Sequence, residues 1–273
     1  MIVNEFDTVI VLGTYNRGQL LARSLRAYAG QGNRIAIVVM DDGSTDMTKV
    51  HCSASTLPIY YFYLGDKTGY RDSASFLNRG IKFALNELKA KYVFVTHPEI
   101  IPGRETVVAA RELATDHNTW VSCKGYYLTA EQQAEMDNQV ISRDWRVDLL
   151  NVRHLPNFYG QGASAEFSGN RDYLPESIEA IPVWHSWIFG GGSAEMWRYF
   201  GGLTEFETWG SVDVDLLNRR NIAGIRTVTP CQPEAFVVHQ NHDDNAQRDM
   251  SKCMAALPHY SSKEEALKPH LIQ

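Results

Sequence analysis

The chain has 273 residues, of which 44% are hydrophobic and 21% are charged, so it is long enough for one large core or two small ones. We expect one domain with an elaborated second half. A formal net charge of −6 at pH 7 argues against nucleic acid as a partner, because proteins that bind nucleic acid gain affinity by neutralising many phosphates. The four cysteines form no C-x-x-C pair, which indicates neither a zinc cluster nor a disulfide framework and fits a reducing compartment.

The first apolar run, TVIVLG, is far shorter than the roughly 20 residues that cross a bilayer. No basic leader precedes it, so we expect a first strand and neither a targeting signal nor a transmembrane segment. The expected location is the cytoplasm.

The first half alternates short apolar runs with amphipathic segments. In chain order these are TVIVLG, GQLLARSLRAYAGQG, RIAIVVMDDGS, IYYFYLG, DSASFLNRGIKFALNELKAK and YVFVTHPE. The alternation predicts an α/β fold with right-handed crossovers and a mostly parallel central sheet flanked by helices. TWVSCKGYYLT is predicted as one further strand, and residues 139–182, which lack periodicity, as a long surface excursion.

Polar residues follow the first two strands. Tyr15 and Asn16 come after the first, and Asp41 and Asp42 after the second. GTYNRG lacks the middle glycine of a dinucleotide-binding loop, and the chain has no G-x-x-x-x-G-K-[ST] loop. An aromatic ring beside carboxylates would suit stacking on a nucleobase and accepting its imide N–H. The alternative is that DDGSTD is only a turn with a helix cap.

The stretch YVFVTHPEIIPG, residues 92–103, places His97 and Glu99 where a buried strand ends. Open α/β sheets bind their ligands at such strand ends, so both side chains are candidates for a ligand site. The alternative is that Glu99 caps the helix beginning near Arg104 and His97 is an ordinary residue at a strand end.

Three later stretches carry candidate groups. AFVV predicts a short strand followed by His239 and His242, whose sharing of one metal ion the spacing leaves open. Glycines 190–192 would permit close backbone approach to a sugar, while Trp187 beside them could line a binding site or belong to the core. Asp213 is placed in the first turn of a helix ending at Gly224, where it could act as a base or only complement the helix dipole.

Several of these motifs together resemble a known family. TYNR, DDGSTD and LNRGIKFAL resemble the N-terminal half of glycosyltransferase family 2, which has the GT-A nucleotide-sugar fold. FGGGSAEMWRYFGGLTEFETWGSVDVDL is similar to the C-terminal segment of the β-1,4-galactosyltransferases and polypeptide N-acetylgalactosaminyltransferases.

The resemblance implies one GT-A domain over residues 1–273. Its nucleotide-sugar half would be residues 1–130, its acceptor and catalytic half residues 131–250, and its C-terminal tail residues 251–273. The implied activity is transfer of a hexose, with inversion, from a nucleoside diphosphate sugar to a saccharide or glycoconjugate hydroxyl. The donor is expected to be uridine-linked, and the protein would lie at a membrane surface if its acceptor is lipid-linked.

The resemblance also implies roles for single residues. In the family the first-loop aromatic stacks on uracil and the second-loop aspartate bonds it, which matches Tyr15 and Asp42. The other implied donor-binding residues are Asn16, Arg71 and Asn78, with a surface salt bridge as the alternative for Arg71.

Enzymes of this fold carry an Asp-x-Asp metal motif where this chain has His97 and Glu99. Both can bind manganese, and His239 matches a histidine that completes the metal site. A divalent metal ion is therefore expected, Mn²⁺ rather than Mg²⁺ because neutral imidazole is a poor magnesium ligand. The alternative for the region after residue 239 is a solvated polar loop.

Asp213 matches the family's general base, although Val212 replaces the glutamate that precedes it there. The implied acceptor-binding residues are Trp187, Gly191, Gly192, Trp209 and Asp215. Two other functions remain open. A nucleotidyltransferase shares the sheet but normally has a basic glycine-rich loop, where GTYNRGQ offers only Arg17. A non-catalytic sugar-nucleotide or glycan-binding module would fit the altered metal motif.

Overall fold

A computed structural model gives the fold of most of the chain. It describes residues 6–32, 34–69, 71–127, 133–134, 188–206, 212–230, 232, 235–242, 255, 257–268 and 271–272. The excursion predicted at residues 139–182 lies outside this described part.

The main sheet has seven strands in the order β3-β2-β1-β4-β8-β6-β9. The strands are β1 Thr8–Thr14, β2 Ile35–Asp41, β3 Ile59–Tyr63, β4 Tyr92–Thr96, β6 Thr119–Ser122, β8 Phe189–Ser193 and β9 Arg226–Val228. All neighbours pair in parallel except β8, which is antiparallel to both β4 and β6. The predicted mostly parallel sheet is therefore confirmed.

A second sheet of three strands lies beside the first, in the order β5-β10-β7. Its strands are β5 Ile100–Pro102, β7 Lys124–Tyr127 and β10 Phe236–His239. The prediction of one strand over TWVSCKGYYLT was wrong, because β6 belongs to the large sheet and β7 to the small one. The change of sheet occurs at Cys123, whose N–H donates to Phe189 O at 3.1 Å.

Side chains on the two faces of the large sheet form two cores. Along β1, Val9 and Val11 point into one core, and Ile10 and Leu12 into the other, as the period of two in a strand requires. Among the helices, α1 (Gly18–Ala29) and α4 (Thr106–Leu113) pack on the second of these faces. The first face is covered by α3 (Ser73–Asn86), α5 (Ala194–Phe200) and α6 (Val212–Ala223).

Two further short helices are α2 at Thr48–Ser53 and α7 at Lys263–Ala266. The segment predicted as a C-terminal tail contributes to the main core, since Tyr260, Ala266 and Ile272 are buried there. Among the described helices, none is long and apolar enough to cross a membrane.

Candidate metal and nucleotide site

The candidate site lies where parallel strands of the large sheet end. β1 lies between β2 and β4, and all three run in the same direction, so their C-terminal ends meet at one edge. The loops that follow them begin near Tyr15, Asp42 and His97. This is the edge where open α/β sheets bind ligands.

A cluster of three metal-ligating side chains forms next to this edge. Glu99, His239 and His242 offer ligand atoms that all lie within 4.8 Å of one another. Both histidine Nε2 atoms are 3.7 Å from Glu99 Oε1. Glu99 directly precedes β5 and His239 ends β10, and these two strands pair antiparallel with His239 opposite Ile100. Strand pairing therefore brings together residues that are 140 positions apart in sequence.

The surroundings favour the protonation states that a metal ion requires. His239 Nδ1 lies 2.8 Å from Gln240 O, and because a carbonyl only accepts, the Nδ1–H donates and Nε2 keeps its lone pair. Burial lowers the pKa of His239 to about 4, so the ring is neutral at pH 7. Burial opposes ionisation of Glu99, but the facing His242 and the charges of His97 and His239 outweigh it and lower the pKa to about 2.

One carboxylate and two imidazoles form a donor set that fits a divalent transition metal such as Mn²⁺. The predicted ligands Glu99 and His239 both belong to the cluster. Its third member is His242, whose sharing of a metal ion with His239 the sequence spacing leaves open, whereas His97 lies outside this group of three. His97 is nonetheless close enough for its charge to lower the pKa of Glu99. Its role as a ligand stays a prediction.

Asp42 and Tyr15 lie together at the neighbouring strand ends, as predicted, with two cations around them. Asp42 is buried and accepts a hydrogen bond from Lys67 Nζ at 2.5 Å. Its second oxygen is 3.3 Å from Arg71 Nη1. Tyr15 is 42% exposed, and Lys67 Nζ lies 4.2 Å from the centre of its ring. Lys67 thus bridges the ring and the carboxylate of the proposed base slot.

Gly43 explains how Lys67 reaches this slot. Its φ is +94°, and a Cβ there would lie 2.7 Å from both Gly65 O and Lys67 N. Only glycine therefore allows the backbone after β3 to pack against the loop after β2. Sequence analysis missed Lys67, because the segment around it has no periodicity that links it to Asp42.

Asn16 holds the first loop against the second. Its backbone N–H donates to Ser44 Oγ at 2.9 Å, and its side-chain oxygen accepts from Thr45 N at 2.8 Å. Asp46 makes a similar link, since it accepts from Gly18 N at 2.8 Å. The described contacts of Asn16 shape the slot, and its predicted contact with the donor remains a prediction.

Arg71 and Asn78 make mainly internal contacts. The Arg71 guanidinium donates to the carbonyls of Leu64 and Asp66 and, at 3.2 Å, to that of Gly65. Its predicted contact with the diphosphate remains a prediction. The side-chain amide of Asn78 is buried and bonded to both backbone groups of Leu203. The described bonds of Asn78 therefore lie inside the core, and its expected contact with the donor stays a prediction.

Asp213 lies in the first turn of α6, as predicted, and Asp215 lies in the same turn. Residues two apart on a helix point in different directions. Asp215 points inward, is 1% exposed and accepts from Tyr260 Oη at 2.6 Å. The described contact of Asp215 is therefore with the core, and its expected acceptor contact stays a prediction. Asp213 is half-buried, and its role as a base stays a prediction.

The glycines of β8 pack against the neighbouring strands. Gly191 and Gly192 are buried between β4 and β6, where a Cβ on Gly191 would lie 2.8 Å from Phe94 Cα and one on Gly192 2.8 Å from Thr119 O. They allow close approach of neighbouring strands, and the expected approach to a sugar stays a prediction. The expected acceptor residues Trp187 and Trp209 lie outside the described residues.

Comparison with known sequences finds sugar transferases. The family model described as "Glycosyl transferase family 2" matches residues 9–97. Two proteins named validoxylamine A glucosyltransferase, from Streptomyces hygroscopicus subsp. jinggangensis (strain 5008) and subsp. limoneus, are each 26% identical over 280 residues. The matches cover 96% of this chain, and 62% and 58% of the relatives. The chain thus spans about three-fifths of the length of the curated relatives it matches.

Comparison with solved structures finds the same fold at low identity. S. aureus TarS 1-349 in complex with UDP-GlcNAc has a TM-score of 0.57 at 14% identity, over 88% of this chain and 60% of that one. The mannosyltransferase PcManGT from Pyrobaculum calidifontis, in complex with GDP-Man and Mn²⁺, has a TM-score of 0.52 at 18% identity, over 89% of this chain and 58% of that one. The chain therefore has the GT-A type fold, and its first strands and their loops match glycosyltransferase family 2.

Proposed function

We propose that the protein is a glycosyltransferase that moves a hexose from a nucleoside diphosphate sugar to a hydroxyl of a saccharide or glycoconjugate. The observation that carries this proposal is the Glu99, His239 and His242 cluster, which lies at the strand-end edge beside the Tyr15 and Asp42 slot. The family match over residues 9–97 and the glucosyltransferase names of the relatives support it.

The slot between Tyr15 and Asp42 would bind the base. A planar base can stack on the exposed Tyr15 ring, and Asp42 can accept the imide N–H of uracil. Lys67 can donate to a neighbouring base carbonyl once it leaves the Tyr15 ring. This pairing supports a uridine donor. Guanine also offers N–H donors beside a carbonyl, so the relative affinity for UDP and GDP distinguishes the two bases.

The three-residue cluster would hold the divalent metal ion through one carboxylate oxygen and two imidazole nitrogens. When bound, the ion would neutralise the negative charge that develops on the departing nucleoside diphosphate. The buried, hydrogen-bonded ring of His239 and the ionised Glu99 would bind it without first exchanging protons.

Asp213 is proposed as the general base. Its carboxylate would take the proton from the acceptor hydroxyl as the oxygen attacks the anomeric carbon from the side opposite the diphosphate. A single displacement of this kind inverts the anomeric configuration. The family resemblance of the segment and the lack of an evident second nucleophile in the sequence near Asp213 support inversion.

The test is donor binding followed by turnover. Calorimetry with UDP and with GDP, each with Mn²⁺ and with a chelator, should give tighter binding of UDP and a loss of affinity with chelator. UDP-glucose is the first sugar donor to assay, because the relatives are named glucosyltransferases. Equal affinity for both nucleotides would contradict the assignment of the base slot.

A binding module without catalytic activity is the second candidate, favoured by the replacement of the family's metal-binding aspartates by His97 and Glu99. Release of free UDP from UDP-glucose with a mixture of saccharide acceptors separates the two functions. A binding module would bind the donor, which would raise the melting temperature of the protein, but it would release no UDP.

A further inference from the structure

Gln240 is a fully buried polar side chain next to the metal cluster, with all its polar atoms in use. Its Nε2 donates to Leu20 O at 3.0 Å and lies within hydrogen-bond distance of Glu99 O, at 3.2 Å, and Ser24 Oγ, at 3.3 Å. Its Oε1 accepts from Arg23 at 3.1 Å. Burying an amide this completely is costly unless its bonds are made, so this network fixes one conformation of the side chain.

The backbone of Gln240 contacts both ligand-bearing strands. Its N–H donates to Glu99 O at 3.0 Å, which extends the ladder between β10 and β5 by one residue. Its C=O accepts from His239 Nδ1 at 2.8 Å and so sets the tautomer of that ring. Glu99 O therefore receives bonds from both the backbone and the side chain of Gln240, while His239 is oriented by the same residue.

Helix α1 supplies the rigid support for this arrangement. Leu20 and Ser24 lie one turn apart on it, and Ser24 Oγ donates to Pro98 O at 2.7 Å. Gln240 and Ser24 together attach the Pro98–Glu99 backbone to α1. The loop that carries Tyr15 leads into the same helix, so the base slot and the metal cluster share one support.

We propose that Gln240 is a positioning residue for the metal site, which holds the Glu99 backbone and the His239 ring in the geometry that binds a divalent cation. Residues that orient metal ligands in this way typically change metal affinity by about 10–100-fold when replaced. The proposal rests on the metal site of the proposed function.

The test measures Mn²⁺ affinity of the metal-free full chain, by electron paramagnetic resonance titration, together with the melting temperature. Gln240→Met keeps side-chain length and removes every side-chain hydrogen bond. The matched control is Gln31→Met. Gln31 is also buried and bonds backbone groups at the other end of β5, with Nε2 donating to Gly103 O at 2.7 Å and Oε1 accepting from Val107 N at 3.1 Å.

Gln240→Met should weaken Mn²⁺ binding at least tenfold, whereas Gln31→Met should lower the melting temperature and leave Mn²⁺ affinity within about twofold. Equal affinities in wild type and Gln240→Met would overturn the proposal, as would equal losses in both variants, because such losses would reflect stability alone. Wild-type protein that fails to bind Mn²⁺ would instead overturn the metal site itself.

Ser24→Ala keeps the test decisive if Gln240→Met does not fold. It removes one small hydroxyl that bonds Pro98 O and accepts from Gln240, and it should weaken Mn²⁺ binding about threefold through the same backbone. Unchanged affinity in Ser24→Ala would then count against positioning of the cluster by α1 and Gln240.

Discussion

His239 and His242 differ from His97 in how the fold places them. The first two face the same carboxylate oxygen of Glu99 and have ring centres 5.1 Å apart. His97 affects Glu99 through its charge but falls outside the group whose ligand atoms converge. The spacing of histidines in the sequence could not show which of them converge on Glu99, because it does not specify the backbone path after β10.

This difference predicts unequal effects of two alanine variants. His242→Ala should weaken Mn²⁺-supported binding of UDP at least tenfold, or about 1.4 kcal/mol, because it removes one ligand of three. His97→Ala should change that affinity less, since only a nearby charge is lost. Calorimetry at fixed Mn²⁺ measures both, with Glu99→Ala as the reference for loss of the site. A larger loss in His97→Ala would assign the third ligand position to His97.

At the scale of elements, the two carboxylates in the first turn of α6 lie in different environments. Asp215 faces Tyr260 in the core, and Asp213, two residues earlier, is half-buried and points elsewhere. From the sequence alone, both Asp213 and Asp215 are expected in the acceptor pocket. The fold separates a structural carboxylate from a candidate base.

Asp213→Asn should lower turnover by about 10²-fold or more while donor affinity stays within about threefold, because the amide keeps the shape but cannot take a proton. Steady-state rates and calorimetry measure the two quantities.

Other roles of Asp213 give different patterns in the same variant. A helix-dipole role would cost about 1 kcal/mol of stability or less and leave turnover nearly unchanged. A metal ligand would lose donor affinity and turnover together.

Arg219 joins α6 to the C-terminal segment. It is fully buried and donates to the carbonyls of Ala266, Gly202 and Phe200, while its guanidinium lies over the Phe200 ring. One side chain thus satisfies three backbone acceptors from two separate segments. The bond to Ala266 O attaches the segment predicted as a tail to α6.

Arg219→Met should destabilise the protein by at least about 3 kcal/mol, because it leaves buried carbonyls without a donor. The free energy of unfolding in urea measures this effect. Arg226→Met is the control, since Arg226 and its partner Asp116 are each about half exposed, and an exposed ion pair contributes about 1 kcal/mol or less. Similar losses of unfolding free energy in the two variants would mean that the buried bonds of Arg219 contribute little to stability.

The sequence predicted the first half of the fold well because each strand there is a continuous apolar run between polar turns, as in Thr8–Thr14 and Tyr92–Thr96. It predicted Glu99 for the same reason, since a polar group stands where such a run ends. It failed at β6 and β7, because a change of sheet depends on partners distant in sequence. It also did not predict the packing role of Gly191, because the strand that approaches this glycine cannot be read from the local pattern.

The molecule as a whole keeps several acidic groups protonated inside its cores. Burial and the charge of Asp41 raise the pKa of Cys52 from 9.0 to about 12, and burial raises the pKa of Cys123 and of Tyr28. The folded state therefore holds these protons at a pH where the unfolded chain releases them, so stability present below pH 9 is lost as the pH rises further.

Cys52→Ala should reduce this alkaline loss. Between about pH 8 and pH 10, an unfolded thiol that ionises near pH 9 stabilises the unfolded state by about 1.4 kcal/mol, and the variant lacks this contribution. Urea unfolding of both proteins at the two pH values gives the difference. The free-energy cost of any cavity left by the substitution cancels, because the stability of each protein at one pH is compared with its own stability at the other pH. An equal alkaline loss in both proteins would mean that Cys52 is already ionised in the fold.

The position of β10 has a consequence for the order in which the site is completed. It is the middle strand of the small sheet, between β5 and β7, yet it follows β7 by more than a hundred residues in the chain. The two outer strands therefore lack their common partner until Phe236–His239 inserts between them, and closing so long a loop is an entropically costly step of folding. An N-terminal fragment ending at β7 would carry the whole base slot but only one of the three clustered ligands. The capacity to bind a cation through these three residues is thus acquired only after the chain extends through His242.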